Sequence, residues 1–257
     1  MASQWTLITG ASEGLGVEFA RLAAAEGRDL ILVARQAQKM ERLADDLRAR
    51  HNIAVEVMAT DLSDPAAVET LWRKVSLRRH IDILVNNAGL GYNGSFTAGD
   101  GAREMASVMV NVVAATILMK RAVAHMQAQG GGRVLNVAST AAFMPGPNMA
   151  VYHATKAYLL SLSEAVAEEL RGGTVTITAL CPGATRTNFA ADAQMEHVRL
   201  FRMVPVPSAA RVAKAGWAAM KKGRRIRVTG LSNSAFAFAP RLLPRSLVTR
   251  IAALFLK

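Results

Sequence analysis

The chain has 257 residues, 51% of them hydrophobic and 19% charged, with a net charge of +12. That balance supports a large core and excludes a disordered chain, and a single cysteine, Cys181, excludes an internal disulfide and fits a reducing, cytoplasmic compartment. The basicity is local: no Asp or Glu follows Glu196, whereas thirteen Lys and Arg do, so residues 1–196 are almost neutral.

The opening MASQWTLITGASEGLG lacks a positive leader and its apolar run stops at a glycine loop, so it does not read as a signal peptide. No stretch approaches the roughly 18 uninterrupted apolar residues of a membrane span. Trp5–Thr9 is the first predicted strand. It runs into Gly10-Ala11-Ser12-Glu13-Gly14-Leu15-Gly16, and a helical pattern follows over Gly14–Glu26. Glycines at such a turn let the backbone approach a pyrophosphate, and the helix start offers free N–H groups. Plain strand-to-helix packing is the alternative reading of the same loop.

The second strand, Leu30–Ala34, ends at Arg35. A carboxylate here would hold the ribose 2′-hydroxyl of NAD; an arginine instead suits a 2′-phosphate. Glu13 stands against that, either repelling the phosphate or pairing with Arg35. The remaining strands are expected at Ile53–Ala59, Ile81–Asn86, Arg133–Ala138, Val175–Leu180 and Arg225–Thr229. Helices are expected at Lys39–Arg50, Ala66–Leu77, Ala102–Gln127 and Val151–Arg171. Most strands are continuously apolar, as strands covered on both faces are. The alternation predicts one α/β domain over 1–257: a Rossmann-type, doubly wound, mostly parallel seven-stranded sheet with helices on both faces. Residues 184–206 break the rhythm and read as an insertion over one end of the sheet.

Tyr152 and Lys156 lie four apart at a helix start and share one face. A nearby ammonium favours the phenolate, which makes a tyrosine usable in proton transfer. Thirteen residues earlier, Ser139 closes an apolar strand, at the end where doubly wound sheets place ligands.

With TGASEGLG, Asp61, Asn86-Asn87-Ala88-Gly89, Asn111, Ser139, Tyr152-x-x-x-Lys156 and Pro182-Gly183 in this order, the chain resembles the short-chain dehydrogenase/reductase superfamily, in its short single-domain form, over roughly residues 4–230. The resemblance implies a nicotinamide-dependent oxidoreductase acting on a carbonyl or alcohol. Tyr152 would carry the proton, Lys156 would lower its pKa and hold the nicotinamide ribose, and Ser139 would hydrogen-bond the substrate oxygen. Asn111 would hold a water linking Lys156 to solvent. Gly10, Ser12, Glu13, Gly14, Leu15 and Gly16 would surround the pyrophosphate. Asp61, with Leu62, would reach the adenine, and Asn87, Ala88 and Gly89 would line the adenosine side. Pro182, Gly183, Thr185 and Thr187 would hold the carboxamide end. Thr185 departs from the Val or Ile of many relatives, at a contact made through backbone. Glu13 departs from the neutral or basic residue of NADP-preferring relatives. Arg35 favours NADP(H), with NAD(H) as the alternative.

Other features read as structural. His153 points about 100° around the helix from Tyr152, Cys181 follows a buried strand, and Glu168-Glu169 sits on a helix surface. Five scattered histidines give no metal-ligand spacing. The insertion carries Phe189, Met195, Val198, Leu200, Phe201, Met203 and Val204 and is expected to cover an apolar substrate or merely close the core. In residues 240–257, Leu247, Val248, Ile251, Leu254 and Phe255 share a helical face beside basic residues. That pattern suits a peripheral membrane contact, and equally packing on the body or on a second subunit. Homodimers or homotetramers follow from the resemblance, through Ala102–Gln127 and Val151–Arg171. Nucleic-acid binding is not expected, with aromatics at 5%. A non-enzymatic nucleotide-binding scaffold on the same fold is the alternative to an enzyme.

Overall fold

A computed structural model describes residues 4–195 and 206–256. In chain order it contains β1 (Gln4–Thr9), α1 (Gly14–Ala25), β2 (Asp29–Ala34), α2 (Ala37–His51), β3 (Val55–Ala59), α3 (Pro65–Ser76) and β4 (His80–Asn86). A second half follows with α4 (Gly101–Val108), α5 (Ala115–Ala128), β5 (Gly132–Val137), α6 (Ala150–Glu169) and β6 (Val175–Cys181). The chain then forms α7 (Phe189–Asp192), α8 (Ala209–Lys221), β7 (Ile226–Val228), α9 (Leu231–Phe238) and α10 (Arg245–Phe255).

The seven strands form one sheet in the order β3-β2-β1-β4-β5-β6-β7, and every pairing is parallel. The period of two along each strand divides the core between the faces. Ile8, Leu30 and Leu32 pack with Phe19, Met40 and Trp217 on the α1–α2–α8 side. Leu7, Ile31 and Val33 pack with Trp72, Leu118 and Met126 on the other. Strand order reverses between β1 and β4, which opens a crevice beyond their carboxyl ends.

The helix expected over Ala102–Gln127 is not regular. Met109–Ala114 is a π-helical turn between α4 and α5; it re-aims the side chains before it relative to those after it. The whole stretch Gly101–Ala128 is long and apolar enough to cross a membrane. It lies instead against the sheet, with Leu118, Met119, Ala122 and Met126 buried in the core. Three buried polar side chains tie that region together. Asn86 and Asn136 face each other across β4 and β5, and Asn86 Nδ2 donates to Asn136 Oδ1 at 3.0 Å. Asn136 Nδ2 in turn donates to Ser163 Oγ on α6 at 2.8 Å.

Candidate active site

The crevice is a cavity of about 770 Å3. Its floor begins with the glycine loop. Gly10 and Gly14 have φ of +66° and +59°, which an L side chain adopts only under strain. A Cβ on Gly10 would lie 2.8 Å from Asn87 Nδ2 and 2.9 Å from the Ala88 backbone. One on Gly16 would overlap the Gly10 carbonyl. Gly16 therefore serves the packing of α1 under the loop and does not line the cavity, unlike the place expected for it at a pyrophosphate. Glu13 begins α1 with an extended backbone and its side chain does not cap the helix, so the first N–H groups remain available to an anion. Asn87 clamps the two halves of the crevice. Its Nδ2 donates to the carbonyls of Thr9, at 2.9 Å, and Gly10, at 3.2 Å. The Thr9 hydroxyl accepts from the Asn87 and Ala88 amides.

At the far end stand Arg35, Lys39, Asp61, Leu62, Ala88 and Gly89. Glu13 is not paired with Arg35. Its Oε2 accepts from Asn188 Nδ2 at 2.7 Å and lies 3.6 Å from Lys39 Nζ. Arg35 is exposed and Lys39, which the sequence reading missed, joins it at the cavity wall. Asp61 accepts from the amide and hydroxyl of Ser63 at 2.9 and 2.8 Å. Those bonds hold its carboxyl below the usual carboxylate range, and Arg35 adds to the effect.

At the near end α6 presents Tyr152 and Lys156 side by side, with Lys156 Nζ 5.8 Å from the phenol ring. Lys156 is only 4% exposed, and its Nζ donates to the Val137 carbonyl at 2.9 Å. Burial pulls its pKa down to about 8. Burial also pushes the Tyr152 phenol up to about 12, against a hydrogen bond from Ser139 that lowers it. Burial by itself thus favours the neutral phenol. Ser139 caps a short 3-10 turn through Ala141 N at 3.1 Å, and its hydroxyl also reaches the Pro182 carbonyl.

Asn111 sits in the π-turn and does not line the cavity. Its Oδ1 accepts from Leu90 N at 2.8 Å, and its Nδ2 donates to the Leu90 carbonyl at 2.8 Å and to Thr155 Oγ1 at 3.0 Å. It staples the loop after β4 to α6, a positioning task beside the water-holding role implied by resemblance. Gly89, next to that staple, is 3.2 Å from Lys156 Nζ measured from an ideal Cβ.

Pro182, Gly183, Thr185 and Thr187 line the cavity beyond β6. Thr187 closes on the glycine loop, since a Cβ on Gly14 would lie 3.1 Å from its Cγ2. Phe189 stacks on Tyr152 with ring centroids 5.4 Å apart and packs with Met149 and Met195. Val198, Leu200, Phe201, Met203 and Val204 lie outside the described residues. The sequence did not foretell that α9 and α10 would wall this end, through Phe236, Ala252, Phe255 and Leu256. Only part of the apolar face expected on the tail is buried: Val248 and Ala252 turn inward, whereas Leu247 and Leu254 are 42% and 60% exposed. His153 is buried with Nδ1 2.8 Å from the Met144 carbonyl, a structural role. Among the described residues no cluster could hold a metal.

A deep cleft at the sheet's reversal point, with a glycine cradle at one end and a Tyr–Lys–Ser group at the other, is the site of a nucleotide-dependent oxidoreductase. The chain matches the short chain dehydrogenase family model over residues 4–197 and belongs to that family, whose members act on CH–OH or C=O groups with a nicotinamide cofactor. It is 35% identical over 171 residues to a very-long-chain 3-oxoacyl-CoA reductase of Pyrenophora tritici-repentis, covering 65% of this chain and half the length of that relative. A short-chain dehydrogenase from Sphingobium yanoikuyae in complex with NADPH superposes with a TM-score of 0.84 at 29% identity, covering 95% of this chain and 94% of the other. A Burkholderia phymatum family member in complex with NAD gives 0.82 at 27% identity, covering 92% of each chain.

Proposed function

We propose that this chain is an NADP(H)-dependent reductase or dehydrogenase that interconverts a carbonyl and an alcohol on an apolar substrate, with the whole site built in one domain. The observation that carries the reading is Lys156: an ammonium 4% exposed, with no carboxylate partner among the described residues, set beneath Tyr152. Such a charge is costly to the fold and is kept where chemistry uses it.

The dinucleotide fits the site, because Gly10 and Gly14 hold the positive-φ turns of a loop that lines the cavity and no side chain caps the start of α1. Bound there, the nicotinamide supplies or accepts hydride. Tyr152, held as a phenol, donates its proton to the carbonyl oxygen that Ser139 hydrogen-bonds. The Lys156 ammonium stabilises the phenolate left behind, and Val137 holds that ammonium in place. The reverse reaction runs the same proton through the same atoms. Arg35 and Lys39 suit a 2′-phosphate, with Glu13 held by Asn188 rather than by Arg35 but still 3.6 Å from Lys39. NAD(H) remains the competing cofactor. Phe189, Met149, Met195 and Phe255 favour an apolar substrate, in line with the very-long-chain 3-oxoacyl group in the name of the Pyrenophora relative. Exposed Met105 and Tyr158 on α4 and α6 support a homodimer or homotetramer, and the single buried cysteine supports a cytoplasmic setting.

Fluorescence titration with NADPH and NADH tests the reading. Arg35→Ala should weaken NADPH binding by more than about tenfold, the scale of a charge-assisted pair, and leave NADH unchanged. Tyr152→Phe should bind NADPH normally and lose about a thousandfold or more in turnover of an apolar ketone. Binding of neither nucleotide would return the chain to the scaffold reading, and turnover retained by Tyr152→Phe would remove the proton assignment.

A further inference from the structure

The outer face of α9 and α10 carries large apolar side chains that the fold leaves in solvent. Phe238, Leu242, Leu247 and Leu254 are 53%, 73%, 42% and 60% exposed. On α10 Leu247 and Leu254 are exposed and Ile251 between them is half-buried, a stripe about 100° around the helix from the buried Val248 and Ala252. The helix is therefore apolar toward the cavity and apolar again toward solvent. Arg241, Arg245 and Arg250 are exposed in the same segment, and the Arg241 guanidinium lies 6.0 Å from the Phe238 ring. The sequence places no Asp or Glu anywhere after Glu196.

We propose that this face docks on an anionic lipid surface, with Phe238, Leu242, Leu247 and Leu254 entering the interface and the three arginines at headgroup level. A surface with leucines and arginines and no carboxylate complements a layer that is apolar within and negative at its edge. A second copy of the chain fits less well. A two-fold contact would set this acid-free patch against itself, arginine facing arginine. A polyanion without an apolar layer would answer the arginines and leave the leucines in water. The neighbouring side of α10 supplies Ala252 and Phe255 to the cavity. Docking would thus bring the apolar end of the site within one helix thickness of the lipid, a short route for an apolar substrate.

The test is co-sedimentation of the full chain with vesicles of phosphatidylglycerol or of phosphatidylcholine, which requires neither cofactor nor turnover. We expect binding to phosphatidylglycerol alone, weakened several-fold on raising salt from 0.1 to 0.5 M, as ionic screening dictates. Leu247→Ser/Leu254→Ser should lose about tenfold or more of it, the scale of two removed apolar anchors. Both side chains lie outside the cavity wall, so NADPH binding and the unfolding midpoint serve as controls for folding. No binding by the wild type, or equal binding by the double variant, overturns the proposal. So does a drop in oligomeric mass of the variant in lipid-free buffer, which would give the patch to a second copy. Binding of duplex DNA that the leucine changes leave intact, with no vesicle binding, would give the arginines to nucleic acid and overturn it as well.

Discussion

Lys156 illustrates a residue whose placement opposes folding. Its pKa in the folded chain is about 8, against an ordinary value near 10.4. The folded chain therefore binds this proton less tightly than the unfolded chain does. Stability from this group rises with pH between about 8 and the ordinary value, and its cost is fully present below 8. Tyr152 behaves oppositely: raised to about 12, it contributes fully below about 10 and the contribution is lost as pH climbs to 12. Lys156→Met should accordingly be more stable than wild type at pH 7. The gain should be about 2 kcal/mol after allowance for the hydrogen bond lost to Val137, and it should shrink by pH 9.5. Urea midpoints at the two pH values measure it; a variant less stable at pH 7 would show that the ammonium is welcome where it lies. The tyrosine, lysine and serine were all legible in the sequence, because spacing on a helix and position at a strand end are local properties. The partner of Glu13 was not. Asn188 is 175 residues away, and nothing in the composition of either segment links them.

At the level of elements, the strands were the readable part: continuous apolar runs bounded by glycine and charge have few alternatives. Their ends moved by a residue or two, as with β3, which begins at Val55 rather than Ile53. The π-turn at Met109–Ala114 left no such mark, since it differs from an α-turn by one residue of register rather than by residue type. The face of α10 was likewise ambiguous. Its apolar residues cover a wide arc, and only packing decided that Val248 and Ala252 would be inside and Leu247 and Leu254 outside. The polar chain from Asn86 through Asn136 to Ser163 helps fix α6, and with it the Tyr152–Lys156 pair, beside the Asn111–Thr155 and Lys156–Val137 bonds. Both asparagines are at most 3% exposed, so removing Asn136 takes from Asn86 Nδ2 one of its two acceptors, leaving the Ala115 carbonyl, and takes from Ser163 Oγ its buried donor. Asn136→Ala should cost about 2–3 kcal/mol and broaden the geometry of the site; thermal unfolding measures the first. A cost below about 0.5 kcal/mol would mean that water replaces the amide at little penalty.

Over the whole molecule, burial is uneven. β1, β2 and β4 lie between two cores and are almost wholly enclosed. α10, eleven residues long, has only Val248 and Ala252 fully buried along its length, with Leu256 just beyond. The charge is just as uneven, and the acid-free region that contains α10 is also the wall of the apolar end of the cavity.

That thin attachment has a consequence for entry to the cavity. A helix held by so few buried groups opens at a fraction of the free energy needed to unfold the sheet. Amide hydrogens of α10 should exchange faster than those of β1 and β4 by two or more orders of magnitude, and hydrogen exchange resolved by mass spectrometry would show it. Exchange of all three at one rate would bind the helix to the global transition instead. Faster exchange in α10 would mean that the wall given by Ala252 and Phe255 opens locally, so that the apolar end of the crevice widens at a rate that follows temperature as steeply as the melting of that one helix does.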